Sequence, residues 1–346
     1  MKQGIAFALV AAALFGASTP FAKRLVGDVP PLMLAGLLYF GSGIGLSLIL
    51  GLRKVFARGD LDVAWPAKAD WGWLAGAIFF GGFLGPVLLM YGLTTSSAGT
   101  ASLLLNFESV FTALIAWFVF RENFDRRIAM GMLLIVAGAV ALSWAPDAGE
   151  VARGSLLVAA ACACWAIDNN LTRKVSGSDA MVVAGLKGLI AGGVSLAIAL
   201  QLGQTLPPPS TTLAASVLGL LSFGVSLVLF VLALRHLGAA RTGAYFAVAP
   251  FFGAVLAIIV AREAVTPQLA VAGALMALGV YLHLAERHAH VHAHEPMTHE
   301  HPHRHDEHHR HRHDFPWDEV KPHTHIHRHD VLVHGHPHFP DIHHRH

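Results

Sequence analysis

Apolar residues occupy this chain in blocks of about twenty, parted by short polar breaks, from the first residues to about position 285. A helix rises ~1.5 Å per residue, so a block of that length crosses the ~30 Å hydrocarbon layer of a bilayer. Most blocks are apolar on every side instead of along one stripe, which marks membrane spans rather than surface helices of a soluble protein. Ten spans are predicted, at roughly 4–22, 31–51, 71–92, 98–120, 127–145, 153–172, 180–200, 211–234, 240–261 and 267–285. The fold class they predict is an all-α polytopic membrane protein.

Composition agrees with that class: of 346 residues, 54% are hydrophobic and 13% charged. The formal net charge of +2 points to no partner, so the placement of the charges matters more. With the N-terminus inside, the inner segments hold Lys2, Arg53, Lys54, Arg58, Lys68, Arg121, Arg126, Arg127, Arg173, Lys174, Arg235 and Arg241. The outer loops hold only Lys23, Arg24, Arg153 and Arg262. This positive-inside bias predicts a multi-pass protein of a bacterial cytoplasmic membrane with both termini cytoplasmic. The expected partners are the lipid bilayer and a small-molecule substrate, with no nucleic acid. A basic start ahead of the first apolar block resembles a signal peptide, but further spans follow it, so an uncleaved first helix is expected. Cys162 and Cys164 stand two apart on one helix and point different ways, which predicts neither a disulfide nor a metal clip.

Small residues punctuate the spans. Gly41, Gly45, Gly72, Gly76, Gly81, Gly85, Gly188 and Gly192 recur at close helical spacing and are expected to form packing seams. Trp65, Trp71, Trp73 and Trp144 stand at span ends, where an aromatic belt belongs. Pro20, Pro86 and Pro250 lie inside spans; each removes a helix hydrogen bond and is expected to kink its helix.

The chain also repeats itself. Ala35-Gly36-Leu37 in span two recurs as Ala184-Gly185-Leu186 in span seven, and Arg121-Glu122 after span four recurs as Arg262-Glu263 after span nine. The segments before those pairs, Phe111 to Glu122 and Phe252 to Glu263, match in character. Two five-span halves follow, 1–150 and 151–287. Because five is odd, the second half enters the membrane from the opposite side, and the loop charges agree. Inverted repeats of this kind belong to secondary transporters with a site near the midplane between the halves.

Over residues 1 to about 285 the sequence resembles the ten-helix EamA-type branch of the drug/metabolite transporter superfamily. The resemblance rests on the two five-span halves, on Leu105-Asn106-Phe107-Glu108-Ser109 leading to Arg121-Glu122, and on the partner segment ending at Arg262-Glu263. Family members carry a proline near the middle of each of these two spans; Pro250 fits in the second half, and Ser109 stands at the matching place in the first. The resemblance implies two inverted bundles around a central cavity and export of a small metabolite such as an amino acid. It does not fix the substrate.

Charge within hydrocarbon is costly and calls for a partner or a function. Glu108 and Asp168 are the acidic residues well inside spans, and Lys187 is the buried ammonium. Trp165, Asp168 and Thr172 share one face of span six at i, i+3 and i+7. Asp168 and Lys187 lie at similar depths on consecutive antiparallel helices, which predicts a direct pair. Two roles stand open for it: fixing the register of two helices, or lining a cavity that takes a zwitterionic solute or a proton. Glu108, with no evident partner, is the candidate proton carrier. Ser102, Asn106 and Ser109 give span four a polar face. The candidate substrate and proton pathway is therefore Glu108, Asp168, Lys187, Asn106, Asn169, Trp165 and Thr172.

Composition shifts abruptly at about His288: 22 of the 24 histidines lie in the last 59 residues. Nothing in that mixture builds a core, so residues 288–346 are expected to form a disordered cytoplasmic tail. Imidazole suits zinc, nickel, cobalt and copper, and the His-x-His runs His290, His292, His294 and His323, His325, His327 are the candidate ligands. No cofactor is otherwise expected. His299-Glu300-His301-Pro302-His303 matches a zinc-protease pattern, but Pro302 interrupts the helical turn that chemistry needs. No catalytic constellation remains, so an enzyme is not expected. The expected function is a secondary transporter exporting a small polar or amphipathic metabolite by alternating access. One alternative is divalent metal efflux or metal-regulated transport using the tail. Another is a membrane-anchored metal-binding scaffold, which leaves the inverted repeat unexplained.

Overall fold

The computed structural model describes residues 2–56, 63–120, 126–143, 148–175, 178–237, 242, 245–284, 289–294, 297–303, 323–329 and 332–337. They fall into a helical unit within Met1–Glu286 and a second unit within Arg287–Pro340. The helical unit opens with α1 (Lys2–Val26) and α2 (Pro31–Phe56). A third span follows, made of α3 (Trp71–Ala77), a π-helical segment (Ile78–Leu84) and α4 (Gly85–Thr95). The fourth is split into α5 (Ala98–Leu104) and α6 (Phe107–Phe120), and α7 (Arg126–Ser143) closes the first half. The second half holds α8 (Ala148–Lys174), α9 (Ala180–Gln201), then α10 (Pro209–Gly219), a π-helical segment (Leu220–Val225) and α11 (Ser226–Leu237). It ends with α12 (Ala249–Val260) and α13 (Pro267–Leu284).

Among the described residues, six helical stretches are long and apolar enough to cross a membrane, and shorter apolar helices accompany them. Large apolar side chains face outward where a soluble protein would place charge: Phe118, Leu156 and Ile259 are each more than two-thirds exposed. Trp65, Trp71 and Trp73 are likewise exposed, while Trp144 lies outside the described residues.

The helix contacts obey an inverted twofold. Matching spans meet across the halves: α2 packs on α9, α7 on α13, and α5 on α12. Two further sets of contacts are swapped between the halves, α1 against α11 and α12, α8 against α4 and α6. Local irregularities obey it too. Each half has one π segment in its third span, and the two end equally far before the Arg121-Glu122 and Arg262-Glu263 pairs. Each half also breaks its fourth span, before Phe107 in one and before Ala249 in the other.

Glycine seams draw the halves together. A Cβ on Gly188 would lie 2.6 Å from both the Gly43 amide nitrogen and the Tyr39 carbonyl oxygen, so α2 and α9 touch backbone to backbone. Gly41 meets Ser216, Gly45 meets Leu220 and Gly192 meets Phe40. Gly72 was expected to join these seams, but the space beside it is open.

The three prolines stand at two kinds of position. Pro20 lies inside α1, which runs through it unbroken. Pro86 and Pro250 are each the second residue of a helix, α4 and α12; α4 continues the π segment, so Pro86 withholds an N–H from an upstream carbonyl there. Span four breaks with no proline. The Asn106 side-chain amide donates to the Leu103 carbonyl at 2.8 Å and the Ser109 hydroxyl donates to the Asn106 carbonyl at 2.7 Å, each adding to a backbone N–H that reaches the same carbonyl across the tightened turn.

The second unit has four short strand segments among its described residues: β1 (Ala289–His294), β2 (Met297–His303), β3 (His323–His329) and β4 (Leu332–Pro337). β1 pairs antiparallel with β4, and β2 with β3. Histidine at every second position is the period of a strand, a signal distinct from composition.

Candidate functional site

The π segment and Pro86 together create an unpaired carbonyl. In the segment the Gly85 amide donates to the Phe80 carbonyl, five residues back. By the same spacing the Gly81 carbonyl would accept from residue 86, which is proline and has no N–H. Two side chains take its place: Tyr39 Oη donates to the Gly81 oxygen at 2.9 Å and Trp165 Nε1 at 3.1 Å. Tyr39 comes from α2 and Trp165 from α8, so both halves of the molecule converge on one backbone oxygen. Buried carbonyls are almost always satisfied, and here the donors come from tertiary structure.

Gly81 also makes room for charge. A Cβ there would collide with the Asp168 carboxylate. Asp168, on α8, faces Lys187 on α9: Lys187 Nζ donates to Oδ1 at 2.7 Å and to Oδ2 at 2.6 Å, and Thr172 Oγ1 donates to Oδ1 at 2.8 Å. Both charged side chains are only 9% exposed. Their spacing follows from the helices, since Thr172 stands one turn beyond Asp168 and Asp179 caps α9, its carboxylate accepting from the Met181 amide at 2.8 Å. Charges so removed from water persist because the ammonium grips both carboxylate oxygens.

Beside the pair, Asn169 Nδ2 donates to Glu108 Oε1 at 2.7 Å. Glu108 is half-buried on α6, and its partner is a neutral amide rather than a cation. The structure thus gathers Asp168, Lys187, Thr172 and Trp165 into one cluster, with Glu108 and Asn169 joined as a second pair. Asn106 stands apart: its side chain is buried, bonded to the Leu103 carbonyl and 3.9 Å from the Met276 sulfur. Ser102 is fully buried against Gly253 with no hydrogen-bond partner among the described residues, so it serves packing.

An aromatic group completes the site and was not legible beforehand. Phe15 from α1 contacts Trp165 edge-on at 6.2 Å and also meets Phe223 at 6.0 Å and Phe246 at 5.5 Å. Tyr39 meets Phe223 at 5.1 Å. These rings come from both halves, and Phe223 belongs to the second π segment. The cluster therefore offers an apolar wall of rings, tilted or edge-on to one another, beside one ion pair and one carboxylate. The candidate metal ligands of the tail lie in the second unit. Among residues whose side chains are described, no group of three or more His, Cys, Asp or Glu could hold a metal.

A second feature ties the halves together at a helix end. Glu263 accepts from the Ala98 amide at 2.7 Å and from the Gly99 amide at 2.8 Å, the first two N–H groups of α5. Ser97 caps the same helix, accepting from Thr100 at 3.1 Å. Arg262, at φ 53°, holds the left-handed conformation that aims Glu263 back at α5. A carboxylate on free helix N–H groups satisfies donors and favours the helix dipole. Glu263→Ala is expected to cost about 1–2 kcal/mol of stability, and Glu263→Gln, which keeps one acceptor, less than half as much, in thermal unfolding of the detergent-solubilised protein. Equal melting of the two variants would contradict this account. The matching Arg121-Glu122 pair lies outside the described residues.

Known proteins place this arrangement. The chain is 29% identical over 288 residues to an uncharacterized transporter of Methanothermobacter thermautotrophicus, a match spanning 79% of this chain and 84% of that protein. A shorter match, 42% identical over 76 residues, is to a probable 4-amino-4-deoxy-L-arabinose-phosphoundecaprenol flippase subunit, ArnE, of Pseudomonas fluorescens; it covers 22% of this chain and 64% of that one. A protein of known crystal structure superposes with a TM-score of 0.59 at 23% identity, over 82% of this chain and 96% of its own, which speaks to fold. Residues 2–144 and 152–285 each match the EamA-like transporter family. The chain, with its two inverted halves around a shared polar and aromatic centre, is a membrane transporter belonging to the EamA-like transporter family.

Proposed function

We propose that the protein exports a small polar or amphipathic metabolite from the bacterial cytoplasm by alternating exposure of the centre formed by Asp168, Lys187 and the aromatic wall. The observation that carries this is the buried Asp168–Lys187 pair, set where α8 and α9 meet the π segment of the other half. A salt bridge needed only for register would not require a glycine, an interrupted helix and two donors from different halves beside it. A solute with an ammonium and a carboxylate can exchange partners with this pair, and the rings accept its apolar body. The charge pattern of the loops supports an orientation with both termini cytoplasmic.

Glu108 supplies the coupling in this reading. It sits one hydrogen bond from Asn169, next in sequence to Asp168, and its carboxylate can take up a proton without breaking an ion pair. The test uses purified protein in proteoliposomes with an imposed pH gradient, offered amino acids, amines and nucleosides after a thermal-shift screen selects binders. Glu108→Gln keeps an acceptor for Asn169 but cannot titrate. Exchange of solute down its own gradient is expected to persist in this variant, while acceleration by the pH gradient disappears. Retention of the full pH-driven rate removes Glu108 from the pathway, and failure to move any solute faster than protein-free liposomes refutes the transport reading for that solute class.

A further inference from the structure

The two π segments are built on the same pattern with one difference. Counted back from the Arg121-Glu122 and Arg262-Glu263 pairs, Gly85 matches Ser226, Pro86 matches Leu227 and Gly81 matches Ser222. The bonds agree with that matching: the Gly85 amide donates to the Phe80 carbonyl and the Ser226 amide to the Leu221 carbonyl, each five residues back. By the same spacing the Ser222 carbonyl has the Leu227 N–H to accept from, whereas the Gly81 carbonyl meets Pro86, which has none. The carbonyl without a backbone donor thus belongs to one half alone, and it is the one beside the buried ion pair.

A residue's Cβ and its own carbonyl oxygen are about 3 Å apart. A Cβ on Gly81 would collide with the Asp168 carboxylate, so the Gly81 oxygen and that carboxylate are near neighbours. An ammonium donates in three directions at about 2.7–3.2 Å, so one nitrogen bridges two acceptors as far as about 6 Å apart. Lys187 already shows how an ammonium is held there, at 2.7 and 2.6 Å from the two Asp168 oxygens. The Gly81 oxygen is occupied by the Tyr39 hydroxyl at 2.9 Å and the Trp165 indole at 3.1 Å. The indole N–H is fixed in its ring, but a hydroxyl proton turns about its C–O bond.

We infer that the Gly81 carbonyl is a binding group for the ammonium of the transported solute, acting with the Asp168 carboxylate, and that the Tyr39 hydroxyl keeps it satisfied until the solute arrives. The inference rests on the transport reading of this centre and adds to it the groups that select an ammonium. On binding, the solute's ammonium takes the lone pair that Tyr39 held, and Tyr39 turns its proton to the solute's carboxylate, so no buried donor or acceptor is left unmade. An ammonium donates to both the carbonyl and the carboxylate, while a hydroxyl in its place donates once. The site therefore separates an amino acid from the hydroxy acid of the same shape.

The test measures the affinity of the purified full-length protein in detergent for leucine and phenylalanine, each paired with the 2-hydroxy acid of the same carbon skeleton. Carboxylate and side chain cancel within a pair, so the ratio of the two affinities reads the ammonium. Pro86→Ala gives the Gly81 carbonyl a backbone donor, the new N–H in the π register or the Gly85 N–H if the segment relaxes to an α-helix. The preference for the amino acid is expected to fall about fivefold or more in this variant, with a melting temperature no lower than that of the unaltered protein. Tyr39→Phe frees the carbonyl instead, and the same preference is expected to rise about threefold or more. A role in helix packing alone does not move the two variants in opposite directions. With both members of a pair still bound, an unmoved preference in Pro86→Ala or the lack of a rise in Tyr39→Phe overturns the assignment and leaves the transport reading standing. Binding of neither member of either pair by the unaltered protein refutes the transport reading for amino acids and this assignment with it.

Discussion

Lys187→Met is expected to destabilise the protein by about 3–5 kcal/mol, because it leaves the Asp168 carboxylate buried without its counter-charge. Among the described residues, Thr172 alone remains as a donor to it. Asp168→Asn strands the ammonium in the same way. The double variant Asp168→Asn with Lys187→Met removes both charges and keeps the volume, so its thermal stability in detergent is expected to return close to that of the unaltered protein, as buried pairs often can be replaced by neutral groups of similar shape. Transport is where the roles separate. If the pair only holds α8 to α9, the double variant regains transport with stability. If the pair meets the solute, stability returns and transport stays at least about tenfold down, the equivalent of ~1.4 kcal/mol lost from the solute-bound state. The second outcome is expected, and full recovery of transport would sink the assignment.

Gly81→Ala is the second large effect, and it needs only one methyl group. The new Cβ would meet the Asp168 carboxylate and lie 2.6 Å from the Asp168 Cβ. The carboxylate could swing away, but the Cβ is fixed by α8, so either the helices part or the ion pair breaks. Overpacking of this kind costs about 1–3 kcal/mol before the loss of hydrogen bonds is counted. The Gly81 carbonyl would also move relative to Tyr39 and Trp165. Abolished transport with a lowered melting temperature is expected. A control at Gly72, where the space is open, is expected to leave both unchanged. Normal transport by Gly81→Ala would show that the π segment and the pair are not one unit.

These residues show why the sequence disclosed part of the site and hid the rest. Asp168 and Lys187 announced themselves, since charge in a long apolar run is conspicuous and equal depth on consecutive helices predicts contact. Thr172 and Trp165 followed from helical spacing. Tyr39 did not, because its role exists only once span three adopts the π register that leaves the Gly81 carbonyl unpaired. The usable signal was Pro86: a proline within a span leaves an upstream carbonyl in need of a donor. Phe15, Phe223 and Phe246 look like any other apolar residue along the chain, and only the crossing of helices makes a wall of them. The split of span four was hidden for a related reason, since Asn106 and Ser109 were read as a polar face of one continuous span, while their side chains also bond to carbonyls of their own segment.

The Gly43–Gly188 contact bears on how such a bundle can change shape. Most helix interfaces hold alternative packings because side chains can exchange rotamers as the helices slide. Two glycines meeting backbone to backbone have no rotamers to exchange, and the contact offers a single separation. The line where α2 crosses α9 is therefore one along which the helices cannot come closer without moving backbone.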